Sequence, residues 1–414
     1  MLQRLAVISL GLAVLFAAIP ARTSRPPRYG GTLRVELGAT VASLDPANDP
    51  ATARDGSSGA SLARTQIDSL IYPKPGPDRS FTGAPGGGPF TLSSWQPGKF
   101  ATLKANEKFP QGRPFVDAIE ITLGRAFRDR LLDLELNKTD LTEIPPQDAR
   151  HAAERGVRLS QSPPDELLAI VFLNDRVAAN ETRARQALSL SLDRAAIVTF
   201  LLQKTGEPTG ALLPQWSSGT AFLFPASPDL PRAKELSAQI APSPKFVLGY
   251  DSADPLEQSV AERIAVNAKE AGLMVTAVGA PPSPSTAKSD SVPDARLVRV
   301  PLLSSQPAAA LNDLLRDLNA LVPGVTGGVA LPESASPQNI YNREREVLDN
   351  YRIVPLVWIP QVYGLSARVR NWIPPAPGQN WPLADVWLDG PNAGGPNADG
   401  PDAKAASAPI KDPE

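Results

Sequence analysis

The most informative feature of this sequence of 414 residues is what it lacks: it contains no cysteine and a single histidine, His151. Without cysteine, a disulfide framework, a zinc–thiolate site and a cysteine nucleophile are all excluded. With one imidazole, a metal site built on two histidines is excluded, and a catalytic triad could use only His151, which lies in a polar segment typical of a protein surface. We therefore predict that the protein is not an enzyme and has no catalytic residues, cofactor or metal site.

The chain also lacks an excess of basic charge. Its formal net charge is -2, and charged residues make up 20% of the sequence. A nucleic-acid partner is therefore not expected, because binding to phosphates requires a clustered basic surface. The 42% share of hydrophobic residues is typical of a globular protein.

The N-terminal segment, residues 1–21, has the pattern of a secretory signal peptide. Arg4 supplies a positive start, and the apolar run from Leu5 to Ile19 is shorter than the ~20 residues that span a bilayer. We expect cleavage after Ala21 and a periplasmic location, with an uncleaved anchor as the alternative. Because no cysteine follows the run, a lipid anchor on a lipobox cysteine is excluded.

Several segments show the alternation or the apolar run of a β-strand. Residues 32–37 alternate, and residues 90–95 and 100–105 flank Gln96-Pro97-Gly98-Lys99, whose proline and glycine predict a type II turn in a hairpin. Residues 167–173 are a continuous apolar run, which predicts a strand that is buried on both faces.

The clearest unit of the sequence is a strand–helix–strand pattern over residues 246–278. Asp254 is expected to cap a helix over 255–271, with Glu257 completing a capping box and Gly272 ending the helix. Such a unit predicts a parallel sheet and hence an α/β fold. No glycine-rich phosphate fingerprint follows its first strand, which excludes nucleotide binding there.

A series of collinear segments carries a resemblance to a known family. The segments are residues 30–35 with 44–46, 88–106, 112–117, 134–146, 173–174 and 183–197. Residues 183–197 (RARQALSLSLDRAAI) resemble a V-R-Q-A-L-x-x-A-I-D-R-x-x-I stretch, and residues 88–98 resemble a G-P-Y-x-L-x-x-W-x-P-G hairpin. Both patterns are typical of family 5 of the bacterial extracellular solute-binding proteins, the peptide, dipeptide and nickel binders of ABC importers, which this chain therefore resembles.

The resemblance implies a two-lobed, periplasmic-binding-protein-like (type II) α/β fold that holds its ligand between the lobes. Lobe I is expected to comprise residues 30–175 and 350–389, and lobe II residues 176–349. Leu173-Asn174 and the strand over 353–359 are expected to cross between the lobes and act as the hinge. Residues 390–414 are expected to form a disordered tail, because they are poor in apolar residues.

The sequence departs from the family pattern in two places. Only residues 61–87 separate the opening segment from the hairpin, so most of the family's additional lobe is missing. In addition, Gln306-Pro307 stands where peptide binders carry an acidic residue, often Asp-Pro, that pairs with the peptide's amino terminus. Because glutamine is neutral, it cannot form the charge-assisted bond that an ammonium group favours. We therefore predict that the ligand is neutral at this end or is recognised through backbone atoms.

The candidate ligand-binding residues follow from this alignment and from the expected chemistry of a cleft. The resemblance points to Ser304, Ser305 and Gln306, with Thr40 and Asn174 converging from lobe I, although Asn174 is better explained as a polar residue that satisfies the backbone. Aromatic side chains are the other candidates, since such clefts are mostly apolar. They are Trp216, Trp358, Tyr363, Trp372, Trp381 and Trp387, of which Trp358 is the one we assign to the site and Trp372 and Trp387 are better explained by packing.

The remaining charged candidates are interpreted as structural or solvated side chains. Asp140 and Glu143 have the spacing of an acid–base pair, but carboxylates are common in polar loops and no partner for them is evident in the sequence. Arg183 and Arg185 could reach an anionic ligand, although salt-bridged or solvated helix positions explain them better.

Three hypotheses for function remain open at this point. The first is a substrate-binding protein that carries a peptide or another small solute to an ABC permease in the inner membrane. The second is a reduced, non-transporting paralogue that acts as a periplasmic interaction or scaffold protein. The third, an enzyme, is disfavoured by the residue inventory.

Overall fold

A computed structural model describes residues 26–41, 44, 66–71, 87–173, 181–218, 224–240, 245–280, 293–379 and 381–390. The predicted signal peptide (1–21), Asn174 and residues 391–414 of the predicted tail lie outside the described residues. Within the described part of the chain, no helix combines the length and the apolar character needed to cross a bilayer.

The chain contains both strands and helices, as the α/β fold class predicts. The strands are β1 (Thr32–Glu36), β2 (Phe90–Gln96), β3 (Phe100–Ala105), β4 (Ala118–Thr122), β5 (Leu141–Ile144), β6 (Arg158–Gln161), β7 (Glu166–Phe172), β8 (Glu207–Pro208), β9 (Lys245–Asp251), β10 (Met274–Ala280), β11 (Ala295–Pro301), β12 (Ile353–Ile359), β13 (Val362–Leu365), β14 (Val369–Arg370) and β15 (Trp387–Leu388). The helices are α1 (66–71), α2 (Phe127–Glu135), α3 (Ala149–Glu154), α4 (Thr182–Ser191), α5 (Arg194–Ala196), α6 (Gln215–Ser218), α7 (Leu230–Ala238), α8 (Pro255–Glu270), α9 (Pro307–Leu321) and α10 (Pro337–Leu348).

Lobe I is built on a seven-stranded sheet with the strand order β2-β3-β4-β1-β5-β13-β6. β1 is parallel to β4 and β5, whereas β13 runs antiparallel to β5 and β6. The predicted hairpin is present: Lys99 N donates to Gln96 O over 3.0 Å, and Gly98 adopts φ +68°. One face of the sheet packs on α1 and on residues from Trp381 to Leu388, so this late segment returns to lobe I.

Lobe II is built on a six-stranded sheet with the order β10-β9-β11-β7-β12-β8. β7 lies inside this sheet, and its side chains alternate between two apolar cores, one beneath α4 and α8 and the other beneath α9 and α10. The prediction of a strand buried on both faces is therefore confirmed, because every residue from Leu167 to Phe172 is fully buried.

The predicted strand–helix–strand unit is confirmed as β9–α8–β10, with β9 and β10 parallel. Asp254 caps α8, accepting from the backbone N–H groups of Leu256 (2.8 Å) and Glu257 (3.3 Å). The expected capping box is not formed, because the Glu257 carboxylate accepts from Asp251 N (2.8 Å) rather than from the N-cap residue. Glu257 therefore fixes the loop before the helix instead of the helix end.

The lobe boundaries differ from the prediction. Both the strand over 167–173 and the strand over 353–359, assigned to lobe I from the sequence, pair with each other and with lobe II strands. The chain crosses between the lobes at residues 162–165, from β6 to β7, and at 360–361, from β12 to β13. The reason is that strands buried on both faces need a core on each side, and lobe II provides two.

Candidate functional site

The junction between the lobes lies at the carboxyl ends of the parallel strands of both sheets. In lobe I, β1 and β5 run toward it, and in lobe II, β9 and β11 do so. The N-termini of α8 and α9 follow β9 and β11 directly. In open α/β sheets, ligands bind outside the carboxyl ends of the strands, so two such edges facing one junction make it the leading candidate for a site.

The two crossing segments are joined by backbone and side-chain hydrogen bonds. Ser162 N donates to Gln361 O, and Gln361 N donates to Ser162 Oγ, each over 2.9 Å. Asp165 N donates to Ile359 O over 3.0 Å, and Leu302 N donates to Asp165 O over 2.6 Å. The segments therefore cross as one paired ribbon, and the loop after β11 is attached to it.

A chain of four side chains runs along this ribbon. Gln66 on α1 donates from Nε2 to Tyr363 Oη over 3.3 Å, and the tyrosine donates to Gln361 Oε1 over 2.5 Å. The amide of Gln361 then donates from Nε2 to Asp165 Oδ2 over 2.9 Å. Each donor therefore points toward the next acceptor, and the chain ends on the Asp165 carboxyl group.

Both ends of this chain carry acceptor atoms that have no partner among the described residues. These atoms are Oε1 of Gln66 and Oδ1 of Asp165. Gln66 and Asp165 are only 5% and 4% exposed, so bulk water does not solvate these oxygens. Buried polar atoms are almost always hydrogen-bonded, and exceptions mark strain, function or an absent partner.

The charges of the site are perturbed by the same burial. Burial and the neighbouring Glu166 raise the pKa of Asp165 well above its ordinary value, against the opposing effect of nearby donors such as the Gln361 amide. Burial, Glu143 and Asp165 raise the pKa of Tyr363, which keeps its phenol neutral and able to donate. Burial also raises the pKa of Glu143. Arg130 opposes the shift of Glu143, and Arg299 forms an ion pair with Glu166, whereas Asp165 has no ion pair among the described residues.

An aromatic cluster lies beside the hydrogen-bond chain. Tyr363 packs edge-on against Trp372 (5.1 Å between ring centroids), which packs edge-on against Trp381 (6.1 Å). Trp381 N donates to Ser69 Oγ over 3.2 Å, which ties the cluster to α1. From the other lobe, Trp216 donates from Nε1 to Pro164 O over 2.8 Å. Tyr363 and Trp216, which the sequence grouped with the cleft aromatics, therefore lie at the junction.

The predicted residues Ser304, Ser305 and Gln306 lie in the loop between β11 and α9, and Ser305 and Gln306 are exposed. This loop meets the C-terminal segment of lobe I: a Cβ built on Gly378 would lie 2.2 Å from Leu303 O. Thr40, also exposed, follows β1 but lies against Gly124, two strands away from the crossing ribbon. The structure brings the three loop residues to the junction and places Thr40 farther along the same edge.

Of the two remaining predicted site residues, Trp358 lies away from the junction and Asn174 lies outside the described residues. Trp358 is 1% exposed and packs in the core beneath α9 and α10. Side chains of β12 alternate between the two faces of the sheet, and Trp358 points toward the core beneath α9 and α10. Its assignment to the ligand site is therefore corrected to a core role. Asn174 lies outside the described residues and stays a prediction.

The charged candidates outside the junction have structural partners. Asp140 binds Arg34, accepting from its backbone N (3.1 Å) and Nε (3.0 Å), and also accepts from Ser366 Oγ (3.0 Å). Arg185 donates to Asn350 O (2.8 Å) and is 2% exposed, which makes it a lobe II core residue. His151 is exposed, as the sequence predicts. Within the described part of the chain, no group of three potential ligands could hold a metal ion.

The sequence reasoning missed Gln66, Asp165 and Gln361. A partial signal for Asp165 was present, because it follows Pro163-Pro164 and directly precedes β7, whose residues from Leu167 to Phe172 are fully buried. The role of Gln66 had no local signal, since its partner Tyr363 lies 297 residues away along the chain.

Comparison with protein families gives a match over the larger part of the chain. The model of "Bacterial extracellular solute-binding proteins, family 5 Middle" matches residues 41–307. Among curated proteins, the probable D,D-dipeptide-binding periplasmic protein DdpA of Escherichia coli is 24% identical over 194 residues, covering 46% of this chain and 38% of that protein. The oligopeptide-binding protein AppA of Bacillus subtilis is 27% identical over 150 residues, covering 36% and 26%. The matched region thus spans well under half the length of these relatives.

Solved structures with the same fold include the ABC transporter substrate-binding protein CtaP of Listeria monocytogenes. Its TM-score is 0.66 at 14% identity, covering 87% of this chain and 100% of that one. AppA of Bacillus subtilis in complex with a nonapeptide gives a TM-score of 0.63 at 13% identity, covering 88% and 100%. NikA of Brucella suis with Fe(III)-EDTA gives 0.61 at 16% identity, covering 73% and 68%. These likenesses confirm the predicted two-lobed type II fold.

Proposed function

We propose a binding function from one premise: the chain belongs to family 5 of the bacterial extracellular solute-binding proteins. In this proposal, it binds a peptide or another small solute between its two lobes and delivers it to the permease of an ABC importer. It works in the periplasm after export by its signal peptide. It performs no chemistry on the solute, which it holds by shape and hydrogen bonds.

The observation that carries the proposal is the paired crossing ribbon between two sheets whose strand ends face it. Two short crossings of four and two residues leave the lobes few backbone positions at which to rotate, and hinge closure about such positions is how two-lobed binders trap a ligand. The α8 and α9 N-termini and the loop over 302–306, which is exposed at Ser305 and Gln306, then face lobe I across the junction.

The names of the relatives support the same class of solute. DdpA is named as a dipeptide binder and AppA as an oligopeptide binder, whereas NikA was solved with a chelated metal. Because the match spans a minor part of the curated relatives, their substrates are extended to this chain as a proposal.

The test is a thermal-shift screen of the full chain with peptides and small solutes, followed by calorimetry and small-angle X-ray scattering for each hit. We expect at least one solute to raise the melting temperature and to reduce the radius of gyration as the lobes close. Association with a partner protein, with no solute bound across the screen, would instead favour the non-transporting scaffold.

A matched pair of variants locates the binding region. Ser305→Trp places a large side chain on the exposed loop at the junction, whereas Ser227→Trp places the same side chain on an exposed part of lobe II. We expect Ser305→Trp to weaken binding of the hit at least about tenfold while Ser227→Trp leaves it unchanged. Equal effects would place the solute elsewhere.

A further inference from the structure

We infer that Asp165 is the point at which this protein recognises a cationic hydrogen-bond donor of its ligand, an ammonium or a guanidinium group. This inference deepens the proposed function and rests on it, since it assigns a ligand class to the junction. It replaces the sequence-based prediction that the ligand is neutral at its recognised end.

The direction of the hydrogen-bond chain sets the chemistry that can complete it. Gln361 uses its N–H on Asp165 Oδ2 and receives Tyr363 on its oxygen, so it cannot turn round to accept from Asp165 without losing both bonds. When Asp165 is ionised, the atoms without partners at the two ends, Asp165 Oδ1 and Gln66 Oε1, are both acceptors. A ligand that completes the chain around the charged carboxylate must therefore bring donors rather than acceptors.

The charges around Asp165 favour a cation as that donor. Glu166, the nearest acidic neighbour, is already paired with Arg299, and the guanidinium of Arg299 also binds Asp254 over 2.7 Å. Among the described residues, no lysine or arginine forms an ion pair with Asp165, and the charge that affects it most is the like charge of Glu166. A buried carboxylate without a counter-charge is costly, and an incoming cation supplies that charge.

Binding of a cation should also displace a proton. Burial and Glu166 raise the pKa of Asp165, and Glu143 and Tyr363 face the same space from β5 and β13, so the free protein retains the proton to a higher pH than usual. A cation beside the carboxyl group favours its charged form, so the proton is released as the ligand binds. A ligand that accepts from a protonated Asp165 would release none.

Three probes separate the sources of the cation. Trialanine carries a peptide ammonium group, N-acetyl-trialanine has the same backbone without it, and agmatine carries an amine and a guanidinium without a peptide. Calorimetry of the full chain with each probe, up to about 10 mM and in phosphate and Tris buffers, reports affinity and proton release. We expect trialanine or agmatine to bind, N-acetyl-trialanine not to bind, and the observed enthalpy to differ between the buffers.

Variants then assign the effect to the residue. We expect Asp165→Asn to weaken the bound probe about 30-fold or more, because a charged partner is lost from a desolvated pair. Asp229→Asn, which removes a carboxylate from the exposed N-cap of α7 and keeps a capping side chain, should change the affinity by less than about twofold. The comparison of probes uses the unmodified chain, so it stands even if Asp165→Asn fails to fold.

The inference is overturned by binding of N-acetyl-trialanine as tightly as trialanine, by binding without proton release, or by an unchanged affinity in Asp165→Asn. It is also overturned if neither cationic probe binds. If the wider screen still yields a neutral or anionic solute that closes the lobes, the proposed function survives while this inference fails. If no solute binds in either experiment, both fail.

Discussion

Asp140 in lobe I and Asp165 at the lobe junction are two buried aspartates with opposite surroundings. Asp140 is fully buried and receives hydrogen bonds from Arg34 and Ser366, with the guanidinium of Arg368 at 3.5 Å. Asp165 is equally enclosed, yet one of its oxygens accepts no bond from the described residues. Burial is the same in both cases, and only the supply of donors differs.

This difference separates a carboxylate that stabilises the fold from one that is held ready for a partner. The donors of Asp140 come from β1 and from the return segment after β13, so its network joins distant parts of lobe I. The backbone N–H of Asp165 donates to Ile359 and its backbone oxygen accepts from Leu302, whereas one side-chain oxygen has no hydrogen-bond partner among the described residues. An unsatisfied buried group lowers stability, which a protein tolerates where function requires it.

Glu344 in lobe II is an intermediate case. Its carboxylate accepts from the backbone N–H groups of Leu212 and Leu213, the latter over 2.9 Å. Burial nevertheless raises its pKa to about 7, against these two bonds. Neutral N–H donors therefore stabilise a buried carboxylate less than charged donors do, and the donors around Asp140 include two arginines.

The largest effect is expected from Asp140→Asn. Removing one partner of a buried ion pair leaves the other charge uncompensated, which costs about 3–5 kcal/mol when the pair is fully enclosed. Arg34 is 30% exposed at its side chain, so we expect the lower end, about 3 kcal/mol. Urea unfolding of the variant and the parent measures the change. A loss below about 1 kcal/mol would remove the contrast with Asp165, because it would mean that the network around Asp140 is not stabilising.

The second prediction concerns the pH dependence of lobe II. Because the folded pKa of Glu344 is raised from its ordinary value of 4.5 to about 7, the folded protein keeps a proton that the unfolded chain has released in this window. Stability from this group is therefore lost as the pH rises from about 4.5 to about 7, by at most about 3 kcal/mol, and is level above it.

Glu344→Gln keeps an acceptor for the two backbone N–H groups and cannot ionise. Its free energy of unfolding, measured from pH 4.5 to 8, should fall less steeply than that of the parent across this window. Burial raises the pKa of Glu257 to about 7 as well, so the parent retains a slope of the same sign, and the difference between the two curves isolates Glu344. Parallel curves would show that Glu344 does not titrate in this range.

The elements that the sequence predicted well are those specified by local contacts. The hairpin with Gly98 and the β9–α8–β10 unit with its Asp254 cap depend on residues within a few positions of each other. The fold class followed from that unit and from the family resemblance. The strand over 167–173 was correctly predicted to be buried on both faces, but the sheet to which it belongs was not predicted correctly. Burial of a strand does not indicate which neighbouring strands it pairs with.

The site was harder to predict because its members are far apart in the sequence. Gln66, Asp165 and Gln361 meet only through the crossing ribbon, whose position depends on the pairing of β7 with β12. Trp358 was assigned to the cleft by its residue type alone, and the alternation of β12 placed it in the core. Ser304–Gln306 were located at the junction edge through the resemblance.

The third prediction compares two exposed glycines with positive φ. Gly378 (φ +72°) touches the junction loop, where an added Cβ would lie 2.2 Å from Leu303 O, whereas Gly156 (φ +83°) in lobe I has nothing within 4 Å of that position. Gly156→Ala should cost about 1 kcal/mol, because only the left-handed backbone is strained. Gly378→Ala should cost about 2 kcal/mol and also displace residues 302–306.

Urea unfolding gives the two free energies, and hydrogen exchange reports the loop. Faster exchange at residues 302–306 in Gly378→Ala alone is expected, since the clash is with that loop's backbone. Equal losses of unfolding free energy and equal exchange rates at residues 302–306 in both variants would mean that the segment around Gly378 does not hold the loop at the junction. Lobe I and the junction would then tolerate an added Cβ equally well.

The smallest effect, and the one of opposite sign to Asp140→Asn, is expected for the stability of Asp165→Asn without ligand. Burial and Glu166 raise the folded pKa of Asp165, so stability from this group is present at low pH and is lost as the pH rises from about 4 toward the folded pKa. Asparagine can still accept from Gln361 and does not ionise. The variant should therefore match or exceed the parent at neutral pH, with a melting temperature higher by about 2 °C at most.

Differential scanning calorimetry at acidic and neutral pH tests this sign. The gain of Asp165→Asn over the parent should grow with pH, because the parent alone loses stability as its carboxyl group is driven toward ionisation. If the melting temperature of Asp165→Asn is several degrees below that of the parent at neutral pH, Asp165 stabilises the fold in the way proposed for Asp140. A gain would mean that the fold keeps this aspartate at a cost in stability, as expected for a residue retained for a ligand.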